Sequence, residues 1–329
     1  MRLLCITDPL THPHDDATVV LYSRLAVDPR FELFHLEVSR VGGAEEVPVL
    51  RIRAPLSFQE FRSLASQPTT QARITDFDLV FSRADKPYPP DFLLSLIRHE
   101  GKARFVARPS SVLECDVRTF YRRHASAFLA PGLVTRDLTE ASRFVRATGS
   151  VVAKRNRSYG GKGVSRIWRQ GPEWRLQHGR GEAVGAASLE ELLESLLAID
   201  PEPWEFVKYL QNVSAGDKRV LVVEGEIYGA FLRMATDGSW INNLTTGGTS
   251  LAATVTPAEA AVVQATCGIY HQRGLYALGY DFLMGDSGGW VLSEINASGN
   301  IGGYHRVEET SGVPVVPRLL DWLLEFAAR

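Results

Sequence analysis

The sequence predicts an α/β chain whose carboxyl-terminal part turns to α+β, and three observations predict it. Residues 1 to about 115 alternate buried-strand patterns with helical ones, the sign of a parallel α/β unit. Two strand–turn–strand patterns follow, over Asp217 to Met234 and Tyr276 to Asn296. At 329 residues, 45% hydrophobic and 22% charged, the chain is too long for one compact core, so two or three domains are expected.

In order, Arg2 to Asp8 reads as a strand, Ala17 to Val27 as a helix, Phe31 to Val38 and Asp78 to Asp85 as strands. Pro90 to Glu100 is helical in pattern and Ala103 to Pro109 is a further strand. Val117 to Phe128 looks helical until Ala130-Pro131-Gly132 breaks it. Leu138 to Gly149 is a helix ending at glycine, and Val151 to Trp168 is a strand, glycine-rich loop and strand. Ser188 caps a helix to Ile199, with Glu191 three residues on. Glu205 to Leu210 is a short strand, Glu224-Gly225 turns the next hairpin, and Asn242 to Gly248 is a loop. Pro257 to Gly274 and Leu319 to Ala328 are helices. The expected division is 1–115, 116–210 and 211–329.

The second hairpin carries the first chemistry. With Asp286 to Gly289 as its loop, Gly285 pairs with Trp290, Leu283 with Leu292, and Asp281 with Glu294. Opposed side chains lie roughly 5 Å apart, and like charges there are destabilising unless compensated. A divalent cation is the natural compensator, and strand alternation returns Asn296 to the same face as a neutral oxygen ligand. Oxygen donors with open positions suit Mg²⁺, with Mn²⁺ as an alternative, and imply substrate phosphates. The plainer alternative is a surface hairpin with two solvated acids.

A strand delivers Lys154 into a loop holding Arg157, Ser158, Gly160, Gly161, Lys162 and Gly163. Glycines let successive N–H groups close on an anion while the cations supply charge. No Walker A pattern is present, and a generic basic turn is the alternative. No GxGxxG follows the first strand, so a dinucleotide site lacks its main support.

A net charge of -2 and a pI near 6.5 leave no footprint for nucleic acid or an anionic membrane. Three cysteines without zinc or disulfide spacing, no signal pattern and no apolar span lead to the expectation of a cytoplasmic protein. His12 and His14 have metal-binding spacing but read more simply as a polar loop.

The glycine-rich segment with Lys154, the EFVKYL strand, the GDKRVLVVEGE hairpin, NNLTTGG and the Asp281, Glu294, Asn296 set stand in the order seen in ATP-grasp ligases. The chain most resembles their bacterial glutathione synthetase branch, with ITDPL and FSRADKPYPPDF extending the likeness to the amino-terminal part. The resemblance implies an ATP-grasp fold with a Rossmann-like parallel α/β domain in front. It implies that Lys154 touches nucleotide phosphates and that Ser158, Tyr159, Gly160, Gly161, Lys162 and Gly163 belong to a flap over them. It implies that Glu205, Val207, Tyr209 and Leu210 lie on the segment holding adenine, and that Asp217 binds ribose. Arg219, Arg233 and Asn243 fall where the family handles the acyl phosphate, surface or structural polarity being the alternative for the arginines. Asp281, Glu294 and Asn296 match the magnesium ligands.

Two departures stand out. Arg118 occupies the place of an additional nucleotide-binding lysine, and a planar fork is not a point ammonium. Residues Ala297 to Gly303, ASGNIGG, replace the family's Thr-Ser-Pro-Thr run near the acceptor, so glutathione does not carry over as the product.

The expected activity is ATP-dependent ligation of a carboxylate to an amine through an acyl phosphate, on an amino acid or small peptide, in a homo-oligomer. A ring-closing or tailoring synthetase of natural-product biosynthesis and a noncatalytic nucleotide-binding protein are the alternatives. Tyr22, Arg24, Arg83 and Asp85 are further candidates to face substrate, with a structural Arg83–Asp85 contact the alternative for that pair.

Overall fold

The computed structural model describes residues 1–10, 17–158, 161, 163–242, 248–298 and 301–329, with backbone alone at 301 and 302. The amino-terminal part holds β1 (Arg2–Thr7), α1 (Ala17–Val27), β2 (Glu32–Glu37), β3 (Glu46–Ile52), α2 (Phe58–Ser63), β4 (Thr70–Arg73), β5 (Leu79–Ser82), α3 (Phe92–Ile97) and α4 (Pro109–Cys115). The strand order is β4-β3-β2-β1-β5. β1 lies parallel to β2 and β5, as apolar runs such as LLCI predict, whereas β3 and β4 add an antiparallel edge. The expected strand at Ala103 to Pro109 amounts to isolated bridges, with Phe105 meeting Val80, Ala103 meeting Glu100 and Ala107 meeting Leu275.

The middle part contains α5 (Arg118–Ala125), β6 (Gly132–Thr135), α6 (Leu138–Thr148), β7 (Ser150–Lys154), β8 (Val164–Gln170), β9 (Glu173–His178), β10 (Ala183–Ala186), α7 (Leu189–Leu197) and β11 (Trp204–Lys208). Its antiparallel sheet runs β10-β9-β8-β7-β11-β6. Asp137 and Ser188 accept from the backbone N–H three residues on, which starts α6 and α7 where the sequence predicts. Both helices bury their apolar faces against Val151, Ala153, Trp204 and Phe206.

The last part holds β12 (Asp217–Val223), β13 (Glu226–Met234), β14 (Thr249–Ala253), α8 (Pro257–His271), β15 (Ala277–Met284), β16 (Trp290–Asn296), α9 (Ile301–Ser311) and α10 (Val315–Ala328). The sheet order is β14-β13-β12-β15-β16. Its two faces share continuous cores with the amino-terminal part: Leu4 and Ile6 join Val220 and Tyr280, while Leu3 and Leu21 join Leu221, Leu319 and Leu323. The middle sheet has its own core and meets the rest through a small cluster around Val207 and Tyr209.

One core residue makes stability pH-dependent. His35 pairs with Cys5 across β1 and β2, its Nδ1 lies 3.0 Å from the Tyr22 hydroxyl, and its Nε2 has no hydrogen-bond partner among the described residues. Burial, with Arg40 nearby, lowers its pKa from 6.5 to about 4. The folded state therefore binds fewer protons than the unfolded chain, so this contribution is full above the unfolded value of 6.5 and is lost as pH falls toward 4. The loss approaches about 1.4 kcal/mol per pH unit. Thermal unfolding of His35→Gln between pH 7 and 4.5 should show a shallower decline than the wild type; parallel declines would contradict this source of acid sensitivity.

Candidate active site

β15 and β16 place Asp281 opposite Glu294, as the spacing predicts, by a different route. Leu283 pairs with Val291 and Phe282 with Leu292, so the expected pairs Leu283–Leu292 and Gly285–Trp290 do not form. The turn closes one residue tighter, because the Gly285 N–H donates to the Gly289 carbonyl at 2.7 Å and Gly288 takes a left-handed φ of 90°. A bulge that leaves Ser293 outside the pairing restores the register. The Lys154 Nζ donates to that serine's hydroxyl at 3.1 Å.

Arg219 stands opposite Asp281 on β12, and its Nε and Nη2 donate to the two carboxylate oxygens at 2.5 and 2.6 Å. Arg233 Nη2 lies 3.0 Å from Asp281 and donates to Asp217 at 2.6 Å. Asn296 Nδ2 donates to Asp281 at 3.2 Å. Burial alone would raise the Asp281 pKa, but the two guanidiniums outweigh it and hold the acid at about 2. Asp217 goes the other way: burial raises it, Arg233 only partly offsets this, and the neighbouring Asp281 charge raises it further. Its Oδ1 is buried with no partner among the described residues.

Glu294 keeps a quarter of its side chain exposed and has Arg118 Nη1 at 3.9 Å. Behind it lies Glu205, fully buried, which accepts from Tyr121 at 2.6 Å, Arg122 at 2.6 and 3.1 Å, and Arg118 at 3.4 Å. Lys154 Nζ is 3.9 Å away. Burial raises the Glu205 pKa, and Lys154, Arg118 and Arg122 together more than reverse it. The Glu205 side chain is thus engaged with cations, while its backbone belongs to the segment β11 (Trp204–Lys208).

An apolar cluster lies beside these charges. Val152, Val207 and Tyr209 form it with Val164, Leu210, Leu283 and Val291 at its edges. Val207 is paired by its backbone on both sides within the sheet, and the Tyr209 N–H donates to the Ser150 carbonyl, so these backbone groups are committed and the side chains are what the two residues present. Arg166, which the sequence reading missed, lays its guanidinium 3.7 Å from the Tyr209 ring centroid. Strand alternation from Val164 was the only signal that pointed it to this face.

The loop after Lys154 folds tightly. Ser158 Oγ donates to the Arg155 carbonyl at 2.9 Å, and a Cβ at Gly163 would sit 2.3 Å from that same oxygen. Gly161 adopts a φ of 76°, which favours glycine. Tyr159, Gly160, Lys162, Asn243, His12 and His14 lie outside the described residues. Of the amino-terminal candidates, Tyr22 turns into the core toward His35, Arg24 is half exposed beside Glu308, and Arg83 pairs with Asp85. The missed Arg122 lies four residues after Arg118 on α5, a spacing that shares one helix face.

The donor set fits a magnesium ion: two carboxylates and an amide oxygen on one sheet face, hard ligands in the number that Mg²⁺ takes when phosphates and water complete its shell. Among the described residues no group of three His, Cys, Asp or Glu offers an all-protein cage. No described helix is long and apolar enough to cross a membrane.

D-cycloserine synthetase DcsG superposes with a TM-score of 0.66 at 14% identity, over 98% of this chain and 100% of that one. D-alanyl-alanine synthetase A from Vibrio cholerae gives 0.60 at 12% identity, over 100% and 99%. A sheet carrying a basic loop, facing a second sheet that carries paired acids, defines an ATP-grasp protein, and these likenesses fix that fold. The family model for the ATP-grasp domain of prokaryotic glutathione synthetase matches residues 119–310. Glutathione synthetase of Parasynechococcus marenigrum is 26% identical over 329 residues, 98% of this chain and 99% of the relative. That of Neisseria meningitidis serogroup A is 23% identical over 350 residues, all of both chains. The chain belongs to the prokaryotic glutathione synthetase ATP-grasp family, and it is an ATP-dependent ligase that forms C–N bonds.

Proposed function

We propose that this ligase activates the carboxylate of an amino acid or small peptide as an acyl phosphate and passes the acyl group to an amine. The observation that carries the reading is the convergence of Arg118, Arg219 and Arg233 on the opposed Asp281 and Glu294, with Lys154 bonded to Ser293 on the same strand as Glu294. Four cations around two acids suit a polyanion that arrives with its own counterion. The curated relatives are named glutathione synthetases, which supports a peptide-like substrate.

In the first step a substrate carboxylate oxygen attacks the γ-phosphorus and the bond to the β,γ-bridging oxygen breaks, releasing ADP. In the second the amine attacks the acyl carbon, loses a proton, and inorganic phosphate departs. Neither step needs a protein nucleophile, so the chain's task is positioning and charge neutralisation. Val207, Tyr209 and Leu210 bound the base, and Asp217 Oδ1, which has no partner among the described residues, accepts from a ribose hydroxyl. Lys154 and Arg118 hold phosphate oxygens. Arg219 and Arg233 face the charge that grows during transfer. Asp281, Glu294 and Asn296 would hold Mg²⁺, which would supply charge neutralisation for the phosphates. The flanking regions 116–210 and 211–329 act as the two sides of the nucleotide clasp.

ADP and phosphate release with Mg-ATP, measured across amino acids and dipeptides, tests the proposal. Equal amounts of ADP and phosphate that depend on one of these carboxylates are expected. Release no greater with any of them than with ATP alone would reject the substrate class. Lys154→Ala should raise the KM for ATP by about tenfold or more, the loss of one charge-assisted hydrogen bond. Its stability should hardly change, because Glu205 keeps Tyr121, Arg122 and Arg118; an unchanged KM would remove Lys154 from the phosphate site.

A further inference from the structure

A cleft of about 590 Å³ lies at the end of the last sheet away from Asp281. It is lined by the run after α3, by Glu224 in the turn between β12 and β13, by the head of β15 with Tyr276, and by the end of α10. Tyr276 stands five residues before Asp281, on the order of 17 Å along an extended strand, so the cleft is separate from the candidate active site. Lys102 to Arg108, KARFVAR, runs extended on one side, held by isolated bridges from Phe105 to Val80 and from Ala107 to Leu275. Alternation puts Lys102, Arg104 and Arg108 on one face with Val106, which packs in the core that holds Phe326. Three cations therefore reach the cleft together.

The acids that line the cleft are engaged elsewhere. Glu224 accepts from Arg329 at 2.6 Å, and Glu100 accepts from the Ser110 N–H and hydroxyl at 2.6 and 2.8 Å. Arg104 donates through Nη1 to the Phe326 carbonyl, while the side chains of Lys102 and Arg108 have no ion pair or hydrogen bond among the described residues. Arg108 is nonetheless held in place. Its N–H donates to the Gly274 carbonyl at 3.0 Å, and its side chain lies across Gly274, where a Cβ would come within 3.2 Å of Nε. Gly274 also takes a φ of 77°, so glycine is required there twice over. The aromatic rings of the cleft already have partners: Tyr276 stacks on His271 and tilts onto Phe326, which stacks on Trp322. Charge rather than base stacking is what the cleft offers.

We propose that this cleft binds a phosphate dianion, free or as the monoester of a small molecule, at a site separate from the nucleotide. Arg108 and Lys102 are its main contacts, with Arg104 alongside. A planar guanidinium matches two phosphate oxygens at once, and the lysine adds a point charge. The cations come from the amino-terminal part and the opposite side from the last part, so a bound anion ties the two together and stabilises the folded chain. Binding there needs neither ATP nor an acyl substrate.

The test follows melting temperature against inorganic phosphate, with potassium chloride keeping the ionic strength constant and with nucleotide and magnesium left out. The wild type should show a saturable rise, about 2 °C at ten times the Kd. Arg108→Gln, an exposed position, should raise that Kd by about tenfold or more, and Lys102→Gln should raise it as well. Lys154→Ala, at the nucleotide site, should keep the wild-type Kd. Glycerol phosphate is titrated in parallel: tighter binding than phosphate assigns the site to a monoester, and weaker binding assigns it to free phosphate. Succinate, a dicarboxylate, should give a smaller rise than either. No saturable rise with phosphate or glycerol phosphate, or a rise kept in Arg108→Gln and lost in Lys154→Ala, would overturn the site. A rise with succinate as large as with phosphate would overturn the phosphate class.

Discussion

Replacing Glu294 by glutamine is expected to lower carboxylate-dependent ADP release by about a hundredfold to a thousandfold while leaving the fold intact. The loss follows from removing one of two opposed carboxylates at the point where transition-state charge is managed, a change of the size seen when a single electrostatic group is deleted from such a site. The fold is spared because Glu294 makes one long ionic contact, to Arg118 at 3.9 Å, and is partly solvated. Exposed pairs of that kind contribute under about 1 kcal/mol. Steady-state ADP release and a thermal melt on the same preparation check both halves. Retained activity would remove Glu294 from the reaction, and a large drop in melting temperature would give it a structural role instead.

Glu205→Ala should behave in the opposite way. Its carboxylate is fully buried and holds Tyr121, Arg122 and Arg118, with Lys154 close by. Removing one partner of a buried ionic set leaves the others uncompensated, at a cost of about 3–5 kcal/mol. For a chain of this size that is a fall of about 4–7 °C in melting temperature. ATP binding should weaken as well, because the two phosphate-side cations lose the group that orients them. A melting temperature within a degree or two of the wild type would show that the cluster carries no stability.

The acid pair was legible in the sequence because strand alternation is a local rule. Even so, two of the three expected cross-strand pairs are wrong, and Asp281 meets Glu294 only because the bulge at Ser293 cancels the tighter turn. The surroundings of Glu205 were not legible. It is a carboxylate whose partners come from distant segments, and nothing in its immediate sequence distinguishes it from an ordinary surface acid. Helix α9 was missed for a related reason: two glycines in its first turn argue against a helix, and its packing against α1 supplies what local preference lacks. Strand β4, TQAR, escaped notice because it is mostly polar, as edge strands are, and β3 because Pro48 interrupts a short apolar run. The capped helices α6, α7 and α8 were read correctly because their caps lie within a few residues of the helices they start.

The central claim is that a substrate carboxylate takes the γ-phosphoryl group. Positional isotope exchange tests it most directly: ATP labelled with ¹⁸O in the β,γ-bridge is incubated with the protein and an activating carboxylate, with no amine present. Reversible acyl phosphate formation frees the β-phosphate of bound ADP to rotate, so the label should scramble from bridging to nonbridging positions only when the carboxylate is added. Label that stays in the bridge with a carboxylate known to support ADP release would contradict the account.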